Sequence, residues 1–129
     1  RMDHMIDTVN DDLFQFDIER PFIPPELNAD YTKLLELSIQ AAADTIPAAK
    51  AYFNDPSAVS DKVRRVYFYH KEAEETSKAI KRRVFHEKDE LKLSQKFHLR
   101  YFALHIEDLS SAAVRVADQL SVMTIKRSL

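Results

Sequence analysis

From residue 57 onward the chain reads as two long helical seams. The first is Val59, Val63, Val66, His70, Ala73, Ser77, Ile80 and Val84, stepping by four and three residues, with a histidine and a serine standing among apolar positions. The second is Leu99, Phe102, Ile106, Leu109, Ala113, Val116, Leu120 and Met123, with the same alternation. Steps of three and four keep side chains on one face of an α-helix. Two such seams joined by a short link near 86–89 predict an antiparallel helical hairpin with coiled-coil-like packing. Ala73, Ser77 and Ala113 are small enough to let the helices approach closely.

Upstream the pattern is interrupted by proline. All five prolines (Pro21, Pro24, Pro25, Pro47 and Pro56) precede residue 57, which leaves the later segments free to run as unbroken helix. Met2, Met5, Ile6, Val9, Leu13 and Phe16 predict a first helix over about 2–18. The stretch 22–27 then reads as an extended connector, because proline pushes its preceding residue out of the α region. A further helix is expected to start near Asn28 or Asp30, either of which can cap it. It runs through Leu34, Leu35, Ser38, Ile39, Ala42, Ile46 and Ala49 to about residue 53, with a kink at Pro47. The turn residues 54–57 separate it from the hairpin.

Composition narrows the chemistry. The 129 residues contain no glycine, cysteine or tryptophan. Phosphate loops, dinucleotide-binding turns and nucleophile elbows need glycine for positive φ or close backbone approach to a ligand, so none can be built here. Without cysteine there is no disulfide, thiolate metal site or thiol nucleophile. A hydrophobic fraction of 45% with 31% charged residues is that of a folded domain, and a net charge of −2 gives no bulk attraction to nucleic acid. No apolar run reaches the roughly 18 residues of a membrane span, and a cytoplasmic location is expected. The chain starts at Arg1 inside a helical pattern, as a piece of a longer polypeptide would.

What chemistry remains rests on His, Asp and Glu. Asp3 and Asp7, and His70 and Glu74, are spaced i, i+4 and so share a helix face, while Glu107 lies beside the last seam with His105 and Asp108 next to it. If such groups converge from facing helices they form a hard-ligand metal site. Solvated helix faces account for the same spacings, and a hydrogen-bonded core imidazole accounts equally for His70. A ferritin-like dinuclear enzyme is disfavoured because no Glu-x-x-His pair is present. Lys78, Lys81, Arg82 and Arg83 form a basic band that suits the negative end of a helix, with an acidic partner or lipid head groups as the secondary reading. Ser110, Ser111 and the other serines have no His/Asp arrangement around them that suggests nucleophilic catalysis.

The stretches HKEAEETSKAIKRRVF (70–85) and HIEDLSSAAVRVADQL (105–120) resemble the C-terminal repeat of the PhoU-like phosphate transport regulators, in the branch associated with Pit-type phosphate transporters. The opening RMDHMIDTVNDDLFQFD with the Pro-rich link is similar to the last helix of the first repeat and its crossing into the second. The resemblance implies an all-α antiparallel bundle, with the end of a truncated first repeat over 1–28 and a second three-helix repeat over 29–129. Family members carry Glu/Asp-x-x-x-Asp motifs that hold metal clusters. Here the matching positions are Asp3, Asp7, His70, Glu74 and Glu107, with imidazole replacing one carboxylate and Ser111 standing at a further acid position. His70, Glu74 and Glu107 then imply a single divalent or iron-type ion rather than a cluster, while Asp3 and Asp7 belong to the first-repeat site and lack their facing helix. The implied role is a non-enzymatic, cytoplasmic, homo-oligomeric regulator that binds a phosphate transporter or its signalling partner, peripheral to the membrane at most and without nucleic acid. A helical-bundle metalloenzyme and a metal-free structural adaptor are the competing readings.

Overall fold

The computed structural model describes Asp7, Asp11 and residues 23–87 and 91–128. Within these, all regular structure is helical. We number the α-helices α1 (Asn28–Ala43), α2 (Thr45–Asn54), α3 (Val59–Arg82) and α4 (Leu93–Ser128). Helix α3 runs on into a single π-helical turn, Arg83–Glu87. Asp7 and Asp11 have helical backbone, and the rest of the helix expected over 2–18 lies outside the described residues.

Entry into α1 differs from the expected extended connector. Pro25–Leu27 forms a 3₁₀ turn that leads directly into the helix, and neither Asn28 nor Asp30 caps it. Proline's fixed φ suits the first position of a helical turn, where its missing N–H removes no bond. The kink expected at Pro47 is a break at Asp44, three residues earlier. A proline at position 47 clashes with the carbonyl of residue 43 and cannot donate to it, so the disruption falls in the preceding turn. Thr45 Oγ1 donates to the Ala42 carbonyl at 2.6 Å and Gln40 donates to Asp44 at 3.1 Å, which occupies polar groups around the break.

Side-chain contacts set the directions of the arms. Arg83 pairs with Asp30 and Arg65 with Asp44, so the α1 arm is antiparallel to α3. His70 meets Ser110, and Tyr67 meets Asp118, so α3 is antiparallel to α4. Tyr31 donates its buried phenol proton to the Leu99 carbonyl at 2.6 Å, tying α1 to α4, and burial pushes the phenol pKa up. The result is three packed arms, with α1 and α2 forming one broken arm.

Both long seams face the core. Every position of the α3 seam is buried except His70, which is half-buried, and every position of the α4 seam is buried except the partly exposed Met123. The α1 arm is shifted from expectation. Its core face is Tyr31, Leu34, Ser38, Ala41, Thr45, Ala48 and Ala51, whereas Leu35, Ile39 and Ile46 are exposed.

Candidate functional site

The core falls into two apolar clusters. One contains Leu27, Tyr31, Leu34, Ala73, Ile80, Leu99, Phe102 and Ile106 among its members. The other contains Ala41, Ala48, Val59, Val63, Val66, Leu109, Ala113 and Val116 among its members. Between them lies a polar layer, because Ser38 separates Leu34 from Ala41, His70 separates Val66 from Ala73, and Ser110 lies between Ile106 and Ala113.

His70 is the centre of this layer. Its Nδ1 lies 2.8 Å from Ser110 Oγ, and its Nε2 lies 2.9 Å from Glu74 Oε1, one turn along α3. Ser110 Oγ in turn donates to the Glu107 carbonyl at 2.8 Å. A serine hydroxyl has one proton, so with that proton on the Glu107 carbonyl the Nδ1–H must donate to Ser110. The alternative is a Ser110 hydroxyl that turns from Glu107 and donates to Nδ1.

Glu107 approaches the same layer from α4 and is partly buried. Desolvation raises its carboxyl pKa, and the charges of Glu74 and Asp108 raise it further, while Lys81 and His70 pull it down. The α3–α4 seam therefore holds an imidazole and two carboxylates in electrostatic contact. Ser110 is joined through His70 to Glu74. Even so, Ser110 is fully buried and sits mid-helix with its proton on a backbone carbonyl. That geometry makes it an orienter of the imidazole, since a nucleophile needs substrate access and an adjacent base to take its proton.

The donor set fits part of a metal shell. Two ligands at about 2.1 Å from an octahedral ion stand about 3 Å apart, close to the 2.9 Å between His70 Nε2 and Glu74 Oε1. Ser110 on Nδ1 is the outer partner that fixes which imidazole nitrogen would face the ion. Both ligand side chains are reachable from solvent, at 21% and 42% exposure. Among the described residues, no three or more His, Asp or Glu side chains are gathered in ligand geometry. Asp7 is exposed and Asp3 lies outside the described residues. His105 packs edge-on against Tyr101 at 4.2 Å between ring centroids, and Asp108 is exposed.

A second feature lies on the outside of the α1 arm. Leu35, Ile39, Ile46 and Phe53 are 41%, 51%, 49% and 72% exposed, at steps of four, seven and seven residues. Leu35, Ile39 and Ile46 are offset by one residue, about 100° of helix rotation, from the core positions Leu34, Ser38 and Thr45. The apolar arc of the arm is thus wider than the bundle covers. Its sequence signal was the adjacent pairs Leu34-Leu35 and Ser38-Ile39, which supply two parallel seams. Compared with family models, curated proteins and solved structures, the chain matches none of them.

Proposed function

We propose that this chain is a non-enzymatic helical regulator that works through protein–protein contacts, with a phosphate transporter or its signalling partner as the binding partner. The observation that carries the interaction role is the exposed stripe Leu35, Ile39, Ile46 and Phe53 on the outside of the α1 arm. Exposed apolar side chains on a helical arm are stabilised by a partner that removes them from water. The partner class comes from the resemblance of the 70–85 and 105–120 stretches to PhoU-like regulators. On this reading the protein is cytoplasmic and peripheral to the membrane at most, and the same stripe supports self-association.

The test is co-purification from detergent extracts of the source organism, grown in phosphate-replete and phosphate-starved medium. Recovery of a phosphate permease with the wild-type chain, and its loss with Leu35→Glu/Ile39→Glu, supports the reading. Absence of any phosphate permease under both conditions overturns it.

The 2.9 Å spacing of His70 Nε2 and Glu74 Oε1 supports a metal-dependent form of the same role, in which Glu107, not gathered with them in this structure, would close on the pair around one divalent or iron-type ion. Metal analysis of protein purified without chelator tests it. Stoichiometric metal lost in both His70→Ala and Glu107→Ala supports this form, and metal-free wild type supports the structural adaptor instead.

A further inference from the structure

At the end of the bundle where α3 passes into its π turn, a surface cleft of about 360 Å³ is lined by Lys81, Arg82, Phe85, His86, Phe97 and Arg100. Its two aromatic rings, Phe85 from the π turn and Phe97 from the second turn of α4, lie 5.7 Å apart at 59°. The Arg100 guanidinium stands over Phe97, 5.1 Å from the ring centroid. Among the described residues, no carboxylate lines it.

The basic band of the sequence thus divides into two parts. Arg83 is neutralised by Asp30 and Glu87. Lys81 and Arg82 turn toward the cleft, where Arg100 joins them from the other helix. Attraction to the helix C-terminus explains Lys81 and Arg82, which sit in the last turn of α3. It does not explain Arg100, which lies near the N-terminal end of α4, where the helix dipole gives a cation no stabilisation. Lys81 also feels Glu107, so its charge is shared between the cleft and the seam above it.

Phe97 is 45% exposed although it sits among cations. A ring in that position offers a π face to a planar group, and the surrounding guanidinium and ammonium groups offer charge-assisted hydrogen bonds to phosphate oxygens. A glycine-free chain has no flexible backbone loop to cradle phosphate, so side-chain cations of this kind are its available means.

We propose that this cleft binds a nucleotide, its base packed against Phe97 and Phe85 and its phosphates held by Arg82, Arg100 and Lys81. This site is separate from the stripe on the α1 arm and stands or falls independently of the regulatory reading.

Calorimetric titration of the purified chain with ADP, pyrophosphate and adenosine tests it, with thermal melts confirming that each variant folds. The expected result is ADP binding at least about tenfold tighter than either fragment, with Arg100→Ala and Phe97→Ala each weakening it about tenfold or more. Arg82→Ala serves as the second charge variant if Arg100→Ala does not fold. The proposal is overturned if ADP shows no binding at millimolar concentration, or if pyrophosphate binds as well as ADP. It is equally overturned if the variants leave ADP affinity unchanged, or if an Asp/Glu-rich peptide displaces ADP at lower concentration than ADP itself requires.

Discussion

Ser110 and Ser77 are both fully buried serines, yet their hydroxyls are in opposite situations. Ser110 Oγ contacts His70 Nδ1 and the Glu107 carbonyl, whereas Ser77 Oγ has no hydrogen-bond partner among the described residues. Removing the first takes away the Nδ1 partner of the half-buried His70, so Ser110→Ala is expected to destabilise the fold by about 1 kcal/mol in urea denaturation. Ser77→Ala removes an unpaired polar group and is expected to be neutral or stabilising by the same measurement. Glu107 gives a pH signature. Its raised pKa means that the folded chain keeps this proton to higher pH than the unfolded chain does, so the folded state binds more protons between the two values. Stability from this group is full below the unfolded pKa and falls as pH rises through the folded one. Glu107→Gln is therefore expected to melt above wild type at pH 7, with the two curves converging as pH falls below the ordinary glutamate range.

At the scale of elements, the α3 and α4 seams could be read directly, because each carries a single run of apolar or small residues at heptad spacing. Ala73 and Ala113 occupy fully buried seam positions where the packed arms approach one another. Ala73→Leu is expected to cost about 1–3 kcal/mol through overpacking, measured as a lower urea midpoint with an unchanged slope. The α1 arm could not be read in the same way. Leu34 and Leu35 are both apolar, and Ser38 competes with Ile39 for the interior. Periodicity alone does not choose between two seams one residue apart. The structure buries the smaller Ser38 against the neighbouring arms and leaves Ile39 outside, the opposite of a choice made on hydrophobicity. The break at Asp44 follows from Pro47 by steric logic, but its exact turn depends on how Thr45 and Gln40 satisfy the freed groups.

For the whole molecule, the all-helical class followed from periodicity and from the prolines confined to the first 56 residues. Among the described residues no helix is long and apolar enough to cross a membrane. At the candidate site, the i, i+4 spacing of His70 and Glu74 was visible, but the contact with Ser110 was not, since it joins residues 40 positions apart on antiparallel helices. The cleft at the π turn was hidden for the same reason, as a basic band in one helix becomes a site only when Phe97 and Arg100 are brought to it. The central claim concerns the stripe on the α1 arm, an apolar surface that the bundle does not use. Its most direct measurement is the affinity of the purified chain for a reconstituted phosphate permease, comparing wild type, Leu35→Glu/Ile39→Glu and the surface control Lys71→Ala on α3. The account predicts saturable binding by wild type and the control, weakened about tenfold or more in the double variant with its melting temperature preserved. Binding of equal strength in all three proteins, or no binding by wild type, would contradict it.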